Sequence, residues 1–312
     1  MVQVDTATEW RGGQVQTVHL VRGMAAQGWP VVVACPPQGR LWRAVEGLAE
    51  RVALPPGRSL RGAVALGRLD ADVFAAQTSH AHTLCLPLGR PLVVHRRVDF
   101  VPSGGWKYRR PDRTIAVSRA VADLLEAAGA RGVTVVHDGV EALPAAPPAA
   151  DAPEVLAVGA RVPHKGHAVL AQAAALLPGV RIGVAGEGPI QPAGLTLLGQ
   201  RADVASLLAG CRVFVHPSVE EGMGQAVVEA MLARVPCVVS DAGGLPEVVG
   251  DTAIVVPRGD PAALAAGLRR ALDGDHPDVA RARSRARERF SVDRMVRQTL
   301  AVYADAARSA AV

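Results

Sequence analysis

Aromatic side chains make up only 3% of this 312-residue chain, which removes serial stacking on bases and any core built around large rings. Ala, Val, Leu and Gly are left to fill the interior, a composition suited to helices laid closely on parallel strands. No apolar stretch approaches the roughly 18 residues that cross a bilayer. The four cysteines, Cys35, Cys85, Cys211 and Cys237, include no close pair, so neither a zinc site nor a disulfide framework is expected, and the thiols are expected to be reduced and buried. The first strand is not followed by a G-x-G-x-x-G turn with an acid about twenty residues on, which argues against a dehydrogenase. The N-terminus, MVQVDTATEW, has no charged segment leading into an apolar one. A cytoplasmic protein is expected, with attachment to the inner face of the cell membrane left open.

What is present is globular. Hydrophobic residues reach 49% and charged ones 20%, and the length allows two domains with separate cores. A net charge of +5 favours anionic partners. The densest basic run, Arg281, Arg283, Arg285, Arg287 and Arg289, would spread around a helix instead of forming one blade. It reads as a solvated helix, and no nucleic-acid partner is expected.

Short β-branched runs alternate with Ala/Leu-rich helical stretches, the pattern of α/β folds with parallel sheets. Strands are expected at 2–5, 30–34, 73–76, 92–95, 114–117 and 133–137, with helices at 14–27 and 119–128, each followed by a glycine. A Pro/Ala-rich stretch, 142–153, denies both helix and ladder. It contains the expected linker, 146–153, between a first domain at 1–145 and a second at 154–291. Strands resume at 154–159, 180–185, 196–198, 213–216, 236–240 and 253–256. The expected architecture is two Rossmann-like doubly wound domains facing a cleft.

The most informative run is HPSVEEGMGQAVVEAMLARVPCVVSDAGGLPEVVGD, 216–251. Glu221 sits in a glycine-broken loop, and Glu229 lies about two turns into the helix that follows. Helix-start amides near Gly224 and Gln225 would carry the positive end of the dipole, and Gly222 and Gly224 would let a phosphate approach the backbone. Two carboxylates would repel a diphosphate but can accept paired hydrogen bonds from vicinal hydroxyls. Glu221 would hold a sugar and Glu229 a ribose, a combination suited to a sugar nucleotide. Arg161 and Lys165, in EVLAVGARVPHKGH, follow a strand and precede a helix, so both should project from the ligand-binding edge of their sheet. There they can neutralise a leaving diphosphate without a metal. Gly12 and Gly13, in WRGGQ after the first strand, permit a tight turn and an anion.

RGGQ, GARVPHKGH, AGEGP (185–189), LGQRADVASLLAGCRVFVHPS (198–218), EEGMGQAVVEAM and SDAGGLPEVVGD follow one another in an order that resembles the retaining GT-B glycosyltransferases of family 4. The resemblance covers nearly the whole chain and is most specific in its second half. It implies a nucleotide-sugar donor, a glycan, glycolipid or other hydroxyl acceptor, retained anomeric configuration, and neither metal nor other cofactor. It assigns Arg161 and Lys165 to the diphosphate, Glu221 to the donor sugar and Glu229 to the ribose. Gly186, Arg201, Gly222, Met223, Gly224 and Gln225 join the donor-binding residues, with 200–204 beside the nucleobase. It also implies that the last helix, 292–312, returns to the first domain. Envelope or surface glycan assembly is the setting that family habit suggests.

Two departures stand out. The family's His-x-His pair falls on Ala75 and Gln77, with His80 and His82 following. A histidine usual after the next strand falls on Arg97, flanked by His95 and Arg96. His82, His95 and Arg97 are therefore retained as candidates for the catalytic centre. Two decoys are set aside: Asp70-Ala71-Asp72 precedes its strand, on the edge away from the ligand, and Asp273-Gly274-Asp275 follows a helix and reads as a turn. The loop 101–113, with Trp106, Lys107, Tyr108, Arg109 and Arg110, could equally dock an acidic or lipid-linked acceptor or be an ordinary basic loop. A nucleotide-sugar epimerase and a non-catalytic sugar-nucleotide-binding subunit are the alternative functions.

Overall fold

The computed structural model describes residues 1–101 and 105–309. Three residues of the loop 101–113 and the last three of 292–312 lie outside the described residues. The chain divides into two units, Met1–Gly139 with the chain from Val292 on, and Val140–Ser291.

In the first unit, β1 (Val2–Val4), β2 (Val32–Cys35), β3 (Glu50–Ala53), β4 (Phe74–Ala76), β5 (Leu92–Arg96), β6 (Arg113–Ala116) and β7 (Val133–Val135) form one parallel sheet in the order β3-β2-β1-β4-β5-β6-β7. Val2 pairs with Val32 on one side and Phe74 on the other. The central strands are apolar on both faces because helices cover both, and Val2, Val4, Ala75 and Val93 are fully buried. The helix Gly12–Ala26 and the final helix, through Met295, Val296, Leu300 and Tyr303, pack into the same core.

The second unit repeats the plan. Its strands are β8 (Val155–Val158), β9 (Ile182–Ala185), β10 (Thr196–Gly199), β11 (Val213–His216), β12 (Cys237–Ser240) and β13 (Ile254–Val256), ordered β10-β9-β8-β11-β12-β13 and all parallel. In each sheet the order reverses beside the first strand, between β1 and β4 and between β8 and β11. The carboxyl edge at such a reversal is where open α/β sheets take ligands.

Twelve of these strands overlap the expected ones; β3 was not expected. Its sequence, ERVA, has two charges in four residues, and as the sheet edge it pairs with β2 alone and stays largely uncovered. The cation of Arg51 instead sits 4.8 Å from the Trp42 ring centroid. Residues 142–153 form neither helix nor strand, but they are tied to the second unit: Ala149 N–H donates to Ser206 O, and Asp151 accepts from Arg201. Of the two decoys, Asp70-Ala71-Asp72 is irregular chain before β4, with Asp70 loosely paired to Arg90, and Asp273-Gly274 is a turn after which Asp275 closes onto Arg270. In the basic helix Val279–Arg289, Arg285 donates to the carbonyls of Glu247 and Val248. These are the last turn of a short helix, which a guanidinium suits.

Candidate active site

At the reversal of the second sheet, two loops leave adjacent strands and are stapled together. After β8 the chain makes a single turn, Pro163–Lys165, and enters the helix His167–Ala175 through Gly166. After β11 it passes through Pro217 and Ser218 to Glu221. Val219 N–H donates to His164 O at 2.9 Å. Gly166 has φ +69°, and a Cβ there would stand 1.8 Å from Pro217 O. Only glycine meets both the left-handed backbone and the close approach.

The staple brings Lys165 to Glu221. Lys165 Nζ donates to Glu221 Oε2 at 2.5 Å, His216 Nε2 lies 2.6 Å from the same oxygen, and Ser218 Oγ donates to it at 3.2 Å. The Glu221 side chain is 11% exposed and that of Lys165 20%. Burial alone would raise the carboxyl's pKa. The hydrogen bond and charge of His216, with those of Lys165, outweigh it and hold Glu221 well below the ordinary carboxylate range. Glu221 is therefore an anion at neutral pH, with a cation in direct contact.

Beneath them, Ser240 Oγ at the end of β12 donates to Ser218 O and fixes the loop floor. His167, 2% exposed, leaves Nδ1 without a partner. Its pKa is pushed down to about 4 by burial and then by the nearby charges of His216, Lys165 and Arg161, so the ring is neutral. Arg161 is buried, and its Nε and Nη1 donate to the carbonyls of Gly186 and Ile190 at 3.2 and 2.6 Å. Gly186 thus enters the site as a carbonyl that orients Arg161.

Gly224, at φ +89°, starts the helix Gln225–Leu232. A Cβ on it would meet Leu245 Cδ2 at 2.6 Å, a contact the leucine side chain could relieve by moving, so it is the left-handed backbone that favours glycine here. Gly222 and Met223 are buried in the loop ahead of it. Glu229 lies half-buried on this helix, and burial pushes its carboxyl up to about 7.

Several expected site residues take other parts. Arg201 is committed to two carboxylates, with Asp151 at 2.5 Å and Asp203 at 2.6 Å, so its guanidinium ties the chain after β10 to the stretch that leads into β8. Gly12 and Gly13 form the first turn of a helix, not a tight turn before one. Nothing lies within 4 Å of a Cβ placed on Gly13. In the first unit, His82 is fully buried, with Nε2 3.2 Å from Lys107 O and its ring edge-on to Tyr108. Burial and the Lys107 charge lower its pKa to about 4. A neutral, sealed imidazole cannot touch a substrate, so His82 is a core residue here.

His95 is likewise interior. Its Nε2 is 2.7 Å from Tyr303 Oη and its Nδ1 3.4 Å from Arg97 Nη2, and burial followed by the Arg97 charge drives its pKa well below the usual value. Arg97 is not an unpaired cation: Nε donates to Asp138 at 2.9 Å and Nη1 to Gln77 Oε1 at 2.9 Å. Gln77 in turn donates to Gln3 at 2.7 Å. The two departures from the family pattern, Gln77 and Arg97, thus bind each other at the carboxyl edge of the first sheet. A residue that sequence reasoning missed is His216. Its position at the end of β11, five residues before Glu221, was the available signal.

These two units match known proteins. A family model described as glycosyl transferases group 1 matches residues 152–274, and one described as glycosyltransferase family 4 matches residues 10–142. An O-antigen chain mannosyltransferase B from Escherichia coli is 39% identical over 103 residues, 32% of this chain and 27% of that protein. An MMP α-(1→4)-mannosyltransferase from Mycolicibacterium hassiacum is 43% identical over 108 residues, 32% of this chain and 26% of that one. The matches thus span about a quarter of the length of these two relatives. The crystal structure of Anabaena Alr3699/HepE in complex with UDP-glucose superimposes with a TM-score of 0.81 at 20% identity, covering 97% of this chain and 99% of the other. The fold is GT-B, with two Rossmann-like domains. With one family model on each unit and that fold throughout, the chain belongs to the group 1, family 4 glycosyltransferases.

Proposed function

We propose that this chain transfers a sugar from a nucleoside-diphosphate donor to a hydroxyl of a glycan or glycolipid, with retained anomeric configuration and no metal. The single observation that carries this reading is the Lys165–Glu221 contact at the reversal of the second sheet, where a cation and a hydroxyl acceptor meet. The names of the mannosyltransferase relatives and the UDP-glucose held by the Anabaena protein support the same class of reaction and donor.

The roles follow from charge. Lys165 and Arg161 face the diphosphate and stabilise the negative charge that develops as the glycosidic bond breaks, a task a divalent ion would otherwise perform. First-turn amides after Gly224 add the positive end of a dipole. Glu221, held ionised, accepts from hydroxyls of the donor sugar, and its own partners keep it from acting as an acid. The acceptor attacks from the face the leaving group vacates, through an oxocarbenium-like transition state, which retains configuration without a covalent intermediate. The acceptor belongs to the carboxyl edge of the first sheet, where Arg97, Gln77 and Asp138 are locked together. Envelope or surface glycan assembly is the setting proposed. Among the described residues no helix is long and apolar enough to cross a membrane.

Glu229 gives a pH signature. Its carboxyl titrates near 7 folded and near 4.5 unfolded. The folded state therefore binds the proton more tightly, its stability falls as pH rises from about 4.5 to 7, and the penalty above that reaches at most about 3 kcal/mol. Glu229→Gln is expected to raise the melting temperature at pH 8 and leave it nearly unchanged at pH 4. Ribose hydroxyls need the ionised form, so wild-type donor affinity should increase through pH 7, while the variant binds at least about tenfold more weakly at pH 8. Calorimetric titration across pH 5.5–8.5 checks both.

The reaction is tested with nucleotide sugars and hydroxyl acceptors in excess EDTA, with the product read by NMR. Acceptor-dependent release of nucleoside diphosphate and a product with the donor's anomeric configuration are expected. An isomerised donor formed without acceptor would replace this reading with an epimerase.

A further inference from the structure

Two cations inside the first unit have no counter-ion among the described residues. Arg96, the last residue of β5, is 7% exposed, and Lys107 is 8% exposed. Arg96 donates from Nε to Val98 O at 3.2 Å, from Nη2 to Phe100 O at 2.6 Å and from Nη1 to Tyr108 Oη at 3.2 Å. Lys107 Nζ donates to Ser79 Oγ at 2.8 Å and Ser79 O at 3.3 Å. The Arg96 and Lys107 charges lie 5.9 and 5.5 Å from the centroid of one ring, that of Tyr108. All of these partners are neutral. Among the described residues no carboxylate forms an ion pair with either cation, and Asp99, the nearest acid in sequence, pairs with neither.

Burying an ammonium beside a guanidinium without an acid is costly, and buried charges are normally paired. The aromatic face offsets part of the cost but carries no net charge. A third cation, exposed Arg58, acts on the same spot: burial, then Arg96 and Arg58, depress the Lys107 ammonium. The place is the carboxyl edge of the first sheet, since Ser79 follows β4 and Arg96 ends β5. Ser79 is at the surface, so the Lys107 end of the cluster can be reached from solvent.

We propose that Lys107, Arg96, Arg58 and Ser79 form a phosphate-binding subsite in the first unit, which receives a phosphate group carried by the acceptor. That the ligand is an acceptor rests on the function proposed above; that the cluster binds phosphate does not. Lys107 has a third N–H to give, Arg96 uses three of its five, and Tyr108 Oη keeps a proton while accepting from Arg96. A phosphomonoester, at about −1.5 to −2, matches three cations better than a single carboxylate would. The phosphate can belong to a soluble molecule or to a lipid. Phe100 and Trp106, 51% and 58% exposed on the adjoining chain, suit the second.

The test uses the full chain in a Lys165→Met background, which removes one of the two cations of the other site, so that the effect of Lys107 is read by comparing variants within that background. Inorganic phosphate and glycerol 3-phosphate are titrated by calorimetry and thermal unfolding. Phosphate is expected to raise the melting temperature of the parent. Adding Lys107→Met should raise the anion-free melting temperature, because it deletes an unpaired buried charge, and weaken phosphate binding at least about tenfold. A merely structural lysine would instead lower it. Arg58→Gln, at an exposed position, should weaken phosphate a few-fold and leave the anion-free melting temperature nearly unchanged. Sedimentation with phosphatidylcholine vesicles, with and without phosphatidic acid, separates the sources. Binding that needs phosphatidic acid and Lys107 assigns a lipid phosphate, and binding of the soluble probes alone assigns a soluble one. The proposal is overturned if phosphate neither stabilises the parent nor distinguishes it from the Lys107→Met variant. Failure of wild-type protein to bind nucleotide sugars would sink the proposed reaction and leave this result readable.

Discussion

Glu221→Gln is expected to lower the rate of sugar transfer by about 10²–10³-fold, the scale on which a single oriented polar contact to the reacting group acts. The side chain keeps its volume and loses its charge. Its amide cannot balance Lys165, which already lies 2.5 Å from the carboxylate, nor pair as well with His216. The same substitution has a stability signature of defined sign. A carboxylate whose folded pKa lies below its unfolded value of 4.5 contributes stability above pH 4.5 and loses it as pH falls. Wild-type protein should therefore lose stability on acidification below about pH 4.5 more steeply than the Gln variant. At pH 7 the variant should be less stable, because breaking a buried pair leaves the other charge uncompensated, at a cost of about 3 kcal/mol. Turnover with parallel urea unfolding at pH 3.5 and pH 7 checks these outcomes. Full activity in the Gln variant would refute the role given to Glu221.

Lys165→Met should affect catalysis as strongly and in a different way. Removing the ammonium takes away the charge that meets the diphosphate, so kcat/KM is expected to fall about 10²–10³-fold. Because the negative charge grows as the bond breaks, most of the loss should appear in kcat, with a smaller rise in KM. The double variant should be far less than additive, since the pair acts as one unit and each single change already breaks it. Steady-state kinetics of the four proteins closes the cycle. Losses that simply add would mean that the contact between the two side chains has no part in the reaction.

The second unit could be read from its sequence because its site is assembled from segments that lie near one another in the chain. Strand, loop and helix start occur together in 155–167 and again in 213–232, and the edge rule for parallel sheets then places their polar residues. What sequence reasoning could not give is which atoms meet. His216 looked like the end of a buried strand, and the staple of Val219 to His164 joins residues 55 apart. The edge strand β3 was hidden by its charges. In the first unit the obstacle is larger. Gln3, Gln77, His95 with Arg97, Asp138 and Tyr303 come from five places along the chain, and only the closed core shows that they form one network. Arg97, His95 and His82 were chosen by position in a pattern, and folding turned each of them toward internal partners. The same closure left Arg96 and Lys107 without an acid, which no spacing in the sequence reveals.

The central claim is that Lys165 and Glu221 bind the charged and hydroxylated parts of a nucleotide sugar. Its most direct measurement is a thermal-unfolding titration of wild-type and Lys165→Met protein with a panel of nucleoside diphosphates and their sugars. Ligand that binds only the native state raises its stability in proportion to RT ln(1 + [L]/Kd). At least one base should raise the wild-type melting temperature in a concentration-dependent way, with the shift largely lost in the variant. No response to any base, or an equal response in both proteins, would contradict the account.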